Sequence, residues 1–499
     1  MPASATNPIA ILLAAATLCL IGGRAHADVD ALPLHVAEPV SEADYRNIGS
    51  EHGPRPYAIA TPVAVGLDGG SWASGGGDTL IWRTRVTSPG ARSLSLMLPR
   101  FAGAPDARLY LRAAGSDMTQ GPYGIDDVDR EGRLWTALVF DDTAIVEVLV
   151  PAAQRDALVL EIAGAYHGWS DLRGTKNIGG TSGSCNVDVA CPQGDDWRDQ
   201  IRSVVGLSYT SGNFRSFCTG NLVNNTSSDG TPLVLTAHHC GIREGNAGSI
   251  IAYWNYQAAT CGGDAPSFTQ SQNGAGFLAT HERSDHTLVQ LADQPDAAFN
   301  VHFAGWDARE DIAVNSGVSI HHPDADTKKI SVFTTPLVKE RETITRNNGL
   351  PQTVDAWRVR WSQGTTEGGS SGSGIWDDTT GRLIGVLFGG RASCGQNQDL
   401  EDYYGRLDVG WEGGGTIDTQ MRACMDKAQL GVRTLDGADA GALGPAADAG
   451  ASRCPDPFAG SDGNDGGGGG SSGGSFWAPL LLIMALLGRG STAARGIRR

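Results

Sequence analysis

The sequence predicts an all-β fold, and three observations carry that reading. Apolar residues alternate with polar ones over short runs, turn residues separate the runs, and long stretches with helical period are scarce. In the first part of the chain the runs are Leu80 to Val86, Ser93 to Leu98, Ala107 to Leu111 and Ala144 to Val150. Period-2 strands at this spacing predict a small β-sandwich over residues 28–178, a stretch without cysteine or any cluster of chemically active side chains. Further on come Val205 to Tyr209, Leu233 to Ala237, His286 to Leu291, Ala356 to Trp361 and Leu383 to Phe388. The best helix candidate is Thr416 to Gln429, expected to close this second region.

With 499 residues the chain is too long for one ordinary core. Residues 1–27 read as a signal peptide, with an apolar run from Ile9 to Ile21 and an Ala25-His26-Ala27 end suited to signal peptidase. No Lys or Arg precedes that run. The block 28–178 reads as a pro-region or accessory domain, followed by the Gly/Ser-rich connector Lys176 to Ser184. Residues 179–430 form the cysteine-containing β region. Residues 431–475 are Ala/Asp/Gly-rich and read as a solvated linker. Residues 476–499 carry a short apolar run, Phe476 to Leu487, then Arg489, Arg495, Arg498 and Arg499. Basic residues after an apolar segment hold that end in the cytoplasm, so the body of the protein is expected outside it, in membrane contact through the tail before processing. With its glycine spacer, the tail resembles the GlyGly-CTERM sorting signals of Gram-negative bacteria, which implies a C-terminal sortase as a partner and an envelope or secreted location; a plain short membrane anchor is the alternative reading.

The formal net charge is −17, and no basic block interleaved with aromatics is present, which argues against nucleic-acid binding. Cys19 leaves with the signal peptide; Cys185, Cys191, Cys218, Cys240, Cys261, Cys394, Cys424 and Cys454 remain, an even set that reads as disulfides in an exported chain. No paired CxxC pattern indicates zinc, and Ser461 to Gly466 lacks the closing carboxylate of a calcium loop, so no metal and no cofactor are expected.

The chemistry concentrates at three places. Leu233 to Ala237 ends on His238-His239-Cys240; Asp285 precedes the strand His286 to Leu291; and Glu367 to Gly374 sets serines among glycines. A serine hydroxyl needs a base within hydrogen-bond reach, and the base needs an orienting carboxylate. His239 is the candidate base, because it adjoins a cysteine able to fix the strand end. Asp285 is the candidate orienting group. Ser371, in a Gly-x-Ser-Gly register, is the candidate nucleophile, with Ser370 and Ser373 as rivals by composition. The backbone N–H groups of Gly369 and Ser371 are assigned to an oxyanion hole, since Gly369 and Gly372 permit a tight backbone there. His, then Asp, then Ser is the chain order of chymotrypsin-type proteases. Gly389 and Gly390, after Leu383 to Phe388, are expected to let a peptide substrate pair with that edge.

The stretch from Ser184 to about Asp418 resembles the bacterial lysyl endopeptidases, on Gly183-Ser184-Cys185-Asn186-Val187-Asp188-Val189, Phe217-Cys218-Thr219-Gly220-Asn221-Leu222-Val223-Asn224, His321-His322-Pro323 and Asp402-Tyr403-Tyr404-Gly405-Arg406. The resemblance implies two packed antiparallel β-barrels with the triad between them, and cleavage of protein or peptide substrates after Lys or Arg. It implies pairing of Cys185 with Cys394, Cys191 with Cys261, and Cys218 with Cys240, leaving Cys424 and Cys454. It also implies that Asp402 is the specificity-pocket carboxylate. There are two departures. Phe388 stands where strict lysine cutters carry a histidine stacked on a tryptophan, and no tryptophan lies between Trp306 and Trp357. Ser370 stands where animal trypsins carry an Asp that binds the new N-terminus. The rival expectation is a surface-attached binding module that keeps a protease-like scaffold without proteolysis.

Overall fold

The computed structural model describes residues 29–459, apart from 47, 49–52, 171, 173–181, 265–267, 347–348, 396–400 and 445–452. The expected signal peptide, most of the connector from Lys176, the calcium-like loop and the C-terminal tail therefore lie outside the described residues. Among the described residues no helix is long and apolar enough to cross a membrane.

The architecture is largely β. In the first block, strands run in the order Leu34–Val36, Thr79–Thr87, Thr143–Pro151, Arg108–Ala113, Thr119–Tyr123, with Ser71–Gly76 also paired to Thr79–Thr87. Alternation sends Trp82, Val86, Val146, Val148 and Val150 to one face, where they meet Leu94, Leu96, Leu98, Leu160 and Ile162 of a second sheet in one apolar cluster. On the opposite face Glu147, nearly buried, is bonded by Arg83 at 2.6 Å and Arg112 at 2.9 Å, which compensates the buried carboxylate.

That second sheet does not stop at the end of the block. Arg55–Gly66 pairs along one edge with Val159–Gly168 and along the other with Phe214–Val223, so both regions share one 12-stranded sheet. From Phe214–Val223 the sheet runs through Val204–Ser211 to Ile251–Tyr253 and Ser271–Asn273. It also runs through Leu233–Ala237 to His286–Leu291 and Ala275–His281. Val205, Leu207, Leu222, Val234, Val289 and Leu291 fill its interior, giving a nearly closed barrel. A separate 10-stranded sheet contains Gly317–His321, Gly374–Asp377, Leu383–Gly390, Glu401–Arg406, Pro351–Arg360 and Val338–Thr345 in that order. A shared cluster including Leu235, Leu288, Ile320, Trp376, Leu383 and Val386 joins the two sheets.

One expected element is corrected. Thr416 to Gln429 is not a continuous helix: helices are confined to Leu407–Glu412 and Arg422–Met425. The Thr419 hydroxyl accepts from the N–H groups of Gly414 and Thr416 at 3.1 and 3.2 Å, a local alternative to the helical ladder. Gln429, at φ 56°, ends the segment. Residues 431–444, assigned by composition to a linker, hold two short strands: Thr434–Leu435 on Trp306–Asp307 and Ala438–Asp439 on His302–Phe303.

Candidate active site

Leu233–Ala237 and His286–Leu291 are antiparallel neighbours, with Ala237 opposite His286. Antiparallel pairing brings the end of one strand beside the start of the other, so His239 and Asp285 meet although far apart in sequence. His239 sits in a 3₁₀ turn, His238–Cys240, ended by Gly241 at φ 74°. Cys240 is bonded to Cys218 on Phe214–Val223, which ties that turn to the sheet. Asp285 occupies the left-handed region at φ 55°, and its carbonyl accepts the His238 N–H at 2.9 Å.

Asp285 Oδ1 accepts the His239 backbone N–H at 3.0 Å, and Oδ2 accepts from ring Nδ1 at 2.7 Å. Nδ1 therefore carries the proton, and Nε2 is the acceptor facing the Ser371 hydroxyl at 2.8 Å. Asp285 is fully buried, and Gln352 Nε2 donates to its Oδ1 at 3.0 Å. Burial would push the Asp285 carboxyl up, but His239, with help from Arg346 and His238, holds it below the ordinary value. Burial lowers His239 below an ordinary imidazole, against the pull of Asp285. An imidazole in this tautomer, neutral near pH 7, can take a hydroxyl proton.

Ser371 is 2% exposed, on the turn before Gly374–Asp377. Gly369 at φ 91° and Gly372 at φ 83° flank it in conformations that side chains rarely adopt. A Cβ on Gly372 would stand 2.2 Å from Thr236 Oγ1 and 2.5 Å from the Thr219 carbonyl. Gly372→Ala is therefore expected to cost about 3 kcal/mol. Thermal unfolding of the variant checks this; an unchanged midpoint would show that the turn can yield. The Gly369 N–H, one of the two assigned oxyanion donors, donates to the carbonyl of Gly53 at 2.9 Å.

Ser370 and Ser373 face elsewhere. Ser370 Oγ lies 2.8 Å from His321 Nδ1, and His321 Nε2 lies 3.0 Å from Ser331 Oγ, which donates to the Thr365 carbonyl. Burial drives His321 down to about 3, so this network is neutral. Ser373 Oγ lies 3.4 Å from Ser319 Oγ, in the core.

Asp402 is buried at 1% exposure on Glu401–Arg406, beside Leu383–Gly390. Its Oδ2 accepts from Trp361 Nε1 and Thr366 Oγ1, both at 2.7 Å. Its Oδ1 leaves no space beside Gly390, where a Cβ would approach to 2.1 Å. Burial raises this carboxyl to about 6, against those hydrogen bonds. Phe388, fully buried, meets the His239 ring edge-on at 6.3 Å. The Arg346 guanidinium lies over the Phe388 ring at 4.1 Å and donates to the Phe388 carbonyl at 3.2 Å. Gly389 adopts φ 141° next to a register shift, so the strand bends here.

Gln352, Arg346, Trp361 and Thr366 were not singled out from sequence. They are ordinary polar or aromatic residues, and only the hairpin Val338–Thr345 to Pro351–Arg360 and the loop after it bring them to the site. The cysteines pair as Cys185–Cys394, Cys191–Cys261, Cys218–Cys240 and Cys424–Cys454. Among the described residues, Asp199, His302 and Asp439 have the spacing of a metal-ligand group. Arg202, at 2.6 Å from both carboxylates, already supplies the positive charge there.

A family model described as lysyl endopeptidase, C-terminal domain, matches residues 179–405. A lysyl endopeptidase of Pseudomonas aeruginosa is 30% identical over 344 residues, covering 64% of this chain and 71% of that protein. Among solved structures, a protease from M. tuberculosis in its active form is 14% identical, with a TM-score of 0.32 over 47% of this chain and 89% of that one. The protease Anisep from Arthrobacter Nicotinovorans is 15% identical, with a TM-score of 0.29 over 44% and 93% of the two chains. With 71% of a 30%-identical relative covered, the chain belongs to the lysyl endopeptidase family of serine proteases.

Proposed function

We propose that the protein is a secreted serine endopeptidase that hydrolyses peptide bonds after Lys, and also after Arg, through an acyl-enzyme on Ser371. The observation that carries this reading is the unbroken run of hydrogen bonds from Asp285 through His239 to Ser371. In the proposed reaction, His239 Nε2 takes the Ser371 proton as Oγ attacks the scissile carbonyl. Asp285 stabilises the imidazolium that forms, and the N–H groups of Gly369 and Ser371 hold the developing oxyanion. The imidazolium gives its proton to the leaving amine, and water, activated by the same base, releases the acyl group. Asp402 at the pocket base selects a cationic side chain, because an unpaired buried charge is costly on either side of the contact. The stack of Phe388 with Arg346, in place of a histidine–tryptophan pair, supports acceptance of Arg beside Lys.

In this reading the two joined sheets of residues 179–430 are the double β-barrel of chymotrypsin-like proteases, and 28–178 is the pro-region. Signal peptidase removes 1–27, and a C-terminal sortase acts on the tail in a Gram-negative envelope. The test is a mass-spectrometric map of a protein digest by the matured protein, with Ser371→Ala as control. Cuts after Lys and Arg that vanish in the control are expected. Absence of cuts would favour the binding-module alternative.

Maturation is proposed to need no N-terminal ion pair, since Ser370 is held by the neutral His321 and Ser331 rather than by a charge. Forms with one residue added or removed before Gly180 are expected to keep kcat/KM within about twofold. A large loss in such ragged forms would show that the new N-terminus is bound after all.

A further inference from the structure

We propose that Gly53-Pro54-Arg55 lies along the substrate path as an internal, uncleavable ligand, anchored by Asp324, and that Asp324 thereby marks a subsite for a basic side chain two residues beyond the cut. This rests on the serine-protease reading above. The Gly53 carbonyl accepts the Gly369 N–H at 2.9 Å, where that reading places the carbonyl of the residue before the scissile bond. The bond that follows is Gly53–Pro54. Two positions on from Gly53, Arg55 enters antiparallel pairing opposite Phe217, next to the Cys218–Cys240 bond that fixes the His239 turn. Gly53 itself turns at φ 130° and the strand begins at Arg55, so the segment bends over the turn that carries Ser371 with its carbonyl on the assigned oxyanion donor.

Its composition makes it a ligand rather than a substrate. Gly53 offers no side chain to the Asp402 pocket. Pro54 has no N–H and fixes its own φ, so the amide after the carbonyl is tertiary and rigid. What holds the segment is the pairing at Phe217 together with the Arg55–Asp324 ion pair at 2.5 Å, whose side chains are 24% and 23% exposed. Burial, with Glu367 and Asp326 nearby, raises the Asp324 carboxyl to about 6 even with Arg55 beside it. A site that has lost Arg55 is therefore short of a cation, and the incoming peptide can supply one as Lys or Arg at the equivalent position.

The test uses the full chain and a fluorophosphonate dye that reacts with activated serines, scored at Ser371 on protein of uncleaved length. The parent is expected to label about tenfold more slowly than Arg55→Glu, which sets like charges together. The charge-swapped pair Arg55→Glu with Asp324→Arg is expected to label slowly again, which also shows that the fold survives. Equal rates for parent and Arg55→Glu would overturn the inference while leaving Ser371 an activated serine. No labelling of any form would overturn the protease reading and this inference with it. In a second arm, Gly53→Lys with Pro54→Ala is expected to be cut between positions 53 and 54, and not when Ser371→Ala is added. An intact bond there would show that the register is wrong. In a third, the matured protein is expected to prefer Arg over Glu two residues after the cut by about tenfold, a preference lost in Asp324→Asn. Equal rates would remove the subsite.

Discussion

Ser371→Ala is expected to lower kcat/KM of the matured protein on a lysyl peptide by about 10⁵-fold or more, with the fold unchanged. The hydroxyl is the only group removed, and no other serine of the turn can replace it. Ser370 is turned to His321, and Ser373 to Ser319. His239→Ala should lose about as much, because base and nucleophile act as one unit, and the double variant little more. Asp285→Asn should cost about 10⁴-fold, since an amide cannot hold the tautomer that the carboxylate imposes. Burial lowers His239, so the acid limb of kcat/KM on a neutral ester is expected below the ordinary imidazole value of 6.5. A Ser371→Ala protein that retained more than about a hundredth of parental proteolysis, free of contaminating protease, would contradict the proposed mechanism.

Asp402→Asn is the second large effect. Under the proposed function, removing the carboxylate takes away the partner of the substrate's basic side chain, at an expected cost of about 2–5 kcal/mol, or roughly 30-fold to several thousand-fold in kcat/KM for lysyl and arginyl peptides. Turnover of a small ester without a basic side chain should hardly change, which separates specificity from chemistry. A pH signature accompanies it. Burial raises Asp402 to about 6, and only the ionised form attracts a cation. KM for a lysyl peptide should therefore rise as pH falls through about 6, and Asp402→Asn should abolish that dependence. The sign for stability is the reverse. A carboxyl raised above its unfolded value destabilises the fold once pH exceeds that unfolded value, so Asp402→Asn should unfold no earlier than the parent at neutral pH. Retention of the basic preference in Asp402→Asn would place the specificity determinant elsewhere.

Parts of the site are legible in one dimension because the chemistry is local there. A histidine after a five-residue apolar strand and a serine between two glycines are patterns that the backbone itself requires. The left-handed Gly369 and Gly372, and the backbone-filled space around Gly372, supply the reason. The strands of both regions follow from alternation, since burying one face of a pleated sheet imposes a period of two.

What no local pattern carries is pairing between distant segments. Arg55–Gly66 is not among the alternating runs that stand out in the sequence, yet it is a twelve-residue strand. Its role in joining two blocks depends on which edges it meets, and both edges of a strand offer the same backbone groups. The same applies to Gln352 on Asp285, Arg346 on Phe388, and the Gly53 carbonyl on Gly369. The expected helix Thr416 to Gln429 failed for a related reason: a threonine hydroxyl bonded to nearby amides competes with the ladder, and hydrophobic period does not register that competition. By itself, then, the sequence determined the β class, the even set of cysteines after residue 27 and the three residues proposed for chemistry, because each is set by short-range sterics or by residue type. Only the tertiary structure decided what surrounds them, namely the buried hydrogen bonds on Asp285 and Asp402 and the segment lying across Gly369, because those contacts arise from packing between chain segments far apart in sequence.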